Sequence, residues 1–176
     1  RDMHTFSKFV RSIDFITPKE EIEKGTLMAR LMWKTLRRMF PKAKCYQLRG
    51  NHETRIEKLM LNKAPEFESL LDESVDKLFN FDGVINLQSA KSELVIGDTV
   101  FTHGWSTTPG YHLNYFMRNV VCGHTHNGGV LWRSKDGTPI YELNVGHVAD
   151  VNQLPLMYRE TFTSKWVSGC GIIDKF

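Results

Sequence analysis

The sequence predicts an α/β chain, a sandwich of two sheets flanked by helices, forming a single domain over residues 1–176. Three observations point there. Helical and strand-like patterns interleave through the first half. Turn-bounded hairpins dominate the second half. Three blocks that set histidine or asparagine beside glycine each follow a short apolar run, as loops do when they leave the ends of strands. The chain has 176 residues, 41% of them hydrophobic and 24% charged, enough for a core of ordinary globular composition, with no repeat or low-complexity tract.

The elements follow in order. Asp2 to Phe15 is mixed and loop-like. Thr17-Pro18-Lys19-Glu20 combines a capping box with proline at the first helical position, so a helix starts there. It runs to about Phe40 with Ile22, Leu31, Met32, Leu36 and Met39 inward, and Pro41 ends it. Lys44 to Leu48 reads as a short strand, followed by a helix from Thr54 to about Leu61. Pro65 opens another helix carrying Phe67, Leu70, Leu71, Val75 and Leu78. Glu93–Ile96 and Thr99–Thr102 flank Gly97-Asp98, a two-residue hairpin signal. His112 to Met117 is a short helix and Asn119 to Cys122 the next strand. Val130–Arg133 and Thr138–Leu143 straddle Asp136-Gly137 as a second hairpin, and Gly171 to Ile173 is a closing strand.

Composition bounds the function. A net charge of +3 is too small to demand a nucleic-acid partner, although it permits a phosphate-bearing substrate. The three cysteines are odd in number and widely spaced, and Cys45 and Cys122 lie in apolar runs, which favours free thiols in a reducing, cytoplasmic compartment. No stretch has the length of a membrane span, and no apolar signal segment opens the chain. Oligomeric state leaves no readable trace.

The chemistry sits in Arg49-Gly50-Asn51-His52-Glu53, in Thr102-His103-Gly104, and in Gly123-His124-Thr125-His126. Imidazole and carboxamide suit divalent first-row ions such as Mn, Fe, Zn or Ni, and glycine lets each loop turn sharply beside an ion. Two such ions about 3.5–4 Å apart would clamp the attacking and leaving oxygens of a phosphoryl transfer and make hydroxide the nucleophile. A lone histidine at a strand end is more often structural, but three ordered blocks outweigh that reading.

These blocks resemble the third, fourth and fifth motifs of the calcineurin-like metallophosphoesterases, in order and in approximate spacing; the compact bacterial and phage forms are the most similar. Leu48-Arg49-Gly50-Asn51-His52-Glu53 is also similar to the Ser/Thr protein phosphatase signature, a pattern that His103-Gly104-Trp105 and Gly123-His124-Thr125-His126 do not continue. The resemblance implies two divalent ions. Asn51, His103 and His124 would hold one and His126 the other, with His52 as general acid and Glu53 orienting it. Arg55 could reach a phosphate oxygen, and Trp105, directly after a ligand loop, is a candidate for substrate contact. The activity implied is hydrolysis of a phosphoester, a diester of nucleic acid or nucleotide being favoured, with a phosphomonoesterase or protein phosphatase as the rival. A non-catalytic binding module or fragment is the reading from a different class.

The family's Asp-x-His and Gly-Asp-x-x-Asp blocks are not matched. Asp2-Met3-His4 superficially resembles the first, but no apolar strand precedes it and no Gly-Asp pair lies between His4 and Gly50. Asp2 is therefore read as the last aspartate of a truncated second block. The first strand and the bridging aspartate are expected upstream of Arg1, and this chain alone is expected to turn over phosphoesters poorly. His4, His112 and His147 carry no motif support and are read as surface or core residues, although His147, following Asn144-Val145-Gly146 near a strand end, could approach substrate. Tyr111, Tyr115 and Phe116, with Arg118 nearby, could stack on bases, but their helical spacing favours core packing. Arg37, Arg38, Lys42 and Lys44 complement a helix end.

Overall fold

The computed structural model describes residues 17–52, 54–63, 65–67, 80–87, 93–149 and 166–174. Asp2, His4 and Glu53, the closing turns expected after Phe67 and the loop expected before Phe15 lie outside them. The chain divides into two compact units, the first of residues 1–88 with 155–157 and the second of residues 89–154 with 158–176. It is a mixed α/β structure, with a two-stranded parallel sheet and a five-stranded mixed sheet.

In the first unit, α1 spans Pro18–Met39. Thr17 caps it: the Thr17 hydroxyl accepts from the Glu20 N–H at 3.3 Å and the Glu20 carboxylate accepts from the Thr17 N–H at 2.8 Å. Those bonds satisfy two donors that a helix start otherwise leaves open. The inward side differs from the expected one. Ile22 and Leu36 are half-buried, together with Ala29 and Trp33, whereas Leu31, Met32 and Met39 are 56%, 48% and 61% exposed. Tertiary partners choose the face: Trp33 Nε1 donates to Gln47 Oε1 at 3.3 Å and Arg37 Nη1 to the Asp82 carbonyl at 2.7 Å.

Strands β1 (Cys45–Leu48) and β2 (Val84–Leu87) pair in parallel, with Cys45 opposite Val84 and Leu48 opposite Leu87. β2 occupies a stretch to which the sequence patterns assign no element. Helix α2 (Arg55–Lys63) follows the turn after β1, and Pro65 opens a 3₁₀ turn over Pro65–Phe67.

The second unit holds β3 (Glu93–Ile96), β4 (Thr99–Thr102), α3 (Tyr111–Phe116), β5 (Asn119–Cys122), β6 (Gly128–Lys135) and β7 (Thr138–Val145). The sheet order is β3-β4-β5-β7-β6. The three inner strands β4, β5 and β7 run parallel, and each edge strand is antiparallel to its neighbour. The β6–β7 turn has positive φ at both Asp136 (50°) and Gly137 (81°), the mirror-image turn that matches the twist of the strands it joins. Val100, Val120 and Ile140 form the buried apolar face beneath Leu113 of α3. The closing strand expected at Gly171–Ile173 is not formed. A Cβ on Gly171 would meet the Leu143 and Val145 side chains at 2.9 Å, so the segment lies across the face of β7, where no ladder partner is on offer. The three cysteines are free thiols: Cys45 half-buried, Cys122 buried and Cys170 exposed. Among the described residues no helix is long and apolar enough to cross a membrane.

Candidate metal centre

Parallel strands place the predicted ligands of the second unit along one sheet edge. Thr102, Cys122 and Asn144 form one row across β4, β5 and β7. His103 lies one residue past that row and His124 two, and the Gly123 N–H continues the ladder to the His103 carbonyl at 3.1 Å. The two imidazoles meet edge to face with centroids 5.3 Å apart. Metal–nitrogen bonds of about 2.0–2.1 Å would put each centroid roughly 3.2 Å from a shared ion, hence roughly 5.2 Å from each other at a tetrahedral angle. The observed pair fits that spacing.

His126 makes ring contacts with two other residues. Its ring packs 4.2 Å from Trp166 and 5.6 Å from His147, centroid to centroid. Among the described residues, His103, His124 and His126 do not gather into one compact ligand trio. His124 (φ 67°) and His126 (φ 62°) both adopt the left-handed conformation, which costs about 1–2 kcal/mol for each non-glycine residue. Such backbone persists where its surroundings over-determine it. Here the Val167 N–H donates to the His126 carbonyl at 2.9 Å, and Thr125 Oγ1 donates to Asn144 Oδ1 at 2.9 Å.

Asn144 connects that loop to a buried carboxylate. Its Nδ2 donates to Glu142 Oε1 at 3.1 Å; the same oxygen accepts from the Gly110 N–H at 3.0 Å, and Oε2 accepts from the Leu113 N–H at 2.9 Å. Glu142 is 2% exposed and His112 is 1% exposed, with Nδ1 of His112 lying 3.9 Å from Glu142 Oε2. His112 Nε2 accepts from the Trp105 N–H at 3.0 Å, which ties down the loop after His103. Burial holds the His112 pKa below its ordinary value against the opposing pull of Glu142. A neutral ring is what an accepting Nε2 requires. Glu142 thereby supports both histidine loops, one through Asn144 and Thr125, the other through α3, His112 and Trp105. Its own strand contains the signal that could reveal it, a carboxylate sharing the inward side of the strand with Ile140.

His112, Cys122 and Glu142 bring one ligand atom each to within 4.8 Å of one another, a group that could hold a metal ion. Its atoms already serve the fold. Both Glu142 oxygens and His112 Nε2 accept N–H bonds, and burial pushes the Cys122 thiol up to about 12 while its Sγ donates to Asn144 Oδ1 at 3.6 Å. Metal binding would need the thiolate and would break these bonds.

In the first unit, the remaining predicted residues sit on the turn between β1 and α2. The Arg49 N–H extends the ladder to the Leu87 carbonyl at 3.1 Å, and the Arg49 side chain pairs with Glu57. Thr54 Oγ1 donates to the Asn51 carbonyl at 2.9 Å and the Arg55 N–H to that of His52 at 3.2 Å. Asn51, His52 and Arg55 are all half-buried there. Trp105 packs edge-on against His112 at 4.8 Å and Tyr115 at 5.4 Å. Tyr111 and Tyr115, expected in the core, are 40% and 62% exposed, because a helix of six residues buries only His112 and Leu113. His112 has the core role expected of it, whereas His147 is drawn into a ring cluster that its lack of a motif concealed. No family model, curated protein or solved structure matches the chain.

Proposed function

We propose that this chain belongs to a metal-dependent phosphoesterase of the calcineurin-like kind, which hydrolyses a phosphodiester of a nucleic acid or nucleotide. The observation that carries the reading is the edge-to-face pair of His103 and His124 on the ends of adjacent parallel strands, at a centroid spacing that suits a shared divalent ion. When bound, divalent ions would neutralise charge on the phosphoryl group and activate a water as nucleophile. His103 and His124 would hold one ion and His126 would contribute to a second. His52 gives a proton to the leaving alkoxide, which is poor at leaving without one, and Arg55 binds a phosphoryl oxygen. A cleft of about 250 Å³, floored by Thr125, Glu142 and Asn144, adjoins the His124–His126 loop and gives room for a substituent of the ester. Gly129, opposite Asn144 in the ladder, borders open space there: a Cβ on it would meet nothing within 4 Å.

Mn²⁺ titration of chelator-stripped protein tests the first half of this proposal. His124→Ala is expected to weaken Mn²⁺ binding by at least about tenfold. The second half rests on turnover of an alkyl phosphodiester, which His52→Asn should lower by about 10²–10⁴-fold while sparing Mn²⁺ affinity. Mn²⁺ binding indifferent to His124→Ala would sink the reading. A non-catalytic metal-binding module is the second reading. Mn²⁺ binding without turnover of any diester or monoester would select it.

A further inference from the structure

We infer that His147 is a substrate-binding residue whose Nε2–H donates to an oxygen of the phosphoryl group beside His126; the inference rests on the metal reading above. The first argument is position. β4, β5 and β7 are adjacent and parallel, and His103, His124 and His147 lie one, two and three residues past the row Thr102–Cys122–Asn144. The edge where parallel strands end is where open α/β sheets bind ligands. His147 therefore completes a series whose other two members are candidate ligands.

The second argument is construction. The His147 N–H donates to the Val167 carbonyl at 3.0 Å, and the Gly169 N–H donates to the His147 carbonyl at 2.9 Å, which fixes the backbone on both sides. The preceding Gly146 has φ 76°, and a Cβ there would come within 2.3 Å of the Val167 carbonyl oxygen. Only glycine lets the two segments approach this closely. The ring then packs against Trp166 at 5.3 Å and His126 at 5.6 Å, centroid to centroid.

The third argument is the tautomer, and it decides what His147 can do. Nδ1 accepts from the Ala149 N–H at 3.1 Å, so in the neutral ring the proton is on Nε2. A ring turned over would set a carbon against that N–H and lose the bond. A protonated Nε2 has no lone pair for a metal. It is a donor, and beside a ligand of a phosphoester-clamping ion the acceptor it suits is a phosphoryl oxygen.

The test measures inorganic phosphate binding to the Mn²⁺-loaded chain by calorimetry. His147→Asn keeps an acceptor near the position of Nδ1 but removes the distal donor, whereas His147→Gln restores a donor at similar reach. His147→Asn should weaken phosphate about 10- to 100-fold, the range for a hydrogen bond to a charged group, and leave Mn²⁺ affinity within about twofold. His147→Gln should recover most of the loss. If His147→Asn does not fold, His147→Gln against His147→Met makes the same comparison at matched length. A loss of Mn²⁺ affinity would make His147 a metal ligand and overturn the inference, as would unchanged phosphate binding. Wild-type protein that takes up no Mn²⁺ would instead remove the metal reading, and this inference with it.

Discussion

The turn after β1 and the loops after β4 and β5 present their predicted residues in the same way, just beyond the C-terminal end of a parallel strand, yet they are anchored by different means. In the first unit the anchor is the Arg49–Glu57 ion pair, with side chains 11% and 28% exposed, helped by the Thr54 bond to the Asn51 carbonyl. In the second, Glu142 at 2% exposure accepts from two backbone N–H groups and the Asn144 amide, and through them steadies both histidine loops. An anchor near the surface is screened by water, whereas a buried carboxylate is costly to break because its partners are left without acceptors. The histidine loops are thus more rigidly positioned within their unit than the turn after β1 is within its own.

The comparison breaks first at those two carboxylates. Glu142→Leu strands three donors and should destabilise the second unit by about 3–5 kcal/mol, whereas Glu57→Gln should cost the first about 1 kcal/mol. Chemical denaturation followed by unit-specific hydrogen exchange measures both, and a larger loss for Glu57→Gln would reverse the contrast. A smaller effect follows acidification. Burial lowers the pKa of folded His112 below the 6.5 of an unperturbed ring, so the unfolded chain takes up the proton first. The contribution of neutral His112 is complete above 6.5 and is lost as pH falls from there towards the lower folded value. Denaturation midpoints should therefore fall between about pH 7 and pH 5, and His112→Gln should flatten that slope. A slope unchanged by the substitution would remove His112 from the network. The mildest probe is alkylation. Exposed Cys170 should react with iodoacetamide well ahead of Cys122, whose buried thiol is pushed up to about 12. Equal rates would show the row beneath the histidine loops to be open to solvent.

Local chemistry was the most legible part of the chain. Thr17 and Glu20 announce α1, and Gly97-Asp98 and Asp136-Gly137 announce two hairpins, because caps and tight turns depend on a few neighbouring residues. The inward face of α1 was misassigned because Leu31, Met32 and Met39 make a plausible apolar side, while the face that packs is set by Gln47 and Asp82, distant in sequence. β2 escaped for a similar reason: a four-residue parallel strand is defined by its partner rather than by its own pattern. Of the candidate site, His103 and His124 were legible from glycine-bounded motifs, and the structure brings them together. Glu142 was not, and His147 was legible only as a histidine near a strand end that could approach substrate, since a buried acceptor hub and a ring pair exist only once β7 is laid beside β5 and Val167 is brought to His147.

The stagger of those three histidines sets a dimension. Each step from β4 to β5 to β7 moves sideways by one strand spacing, about 4.8 Å, so the strands that lead into His103 and His147 lie roughly 10 Å apart. The first and last members of that series therefore sit two strands apart, with the strand that leads into His124 between them.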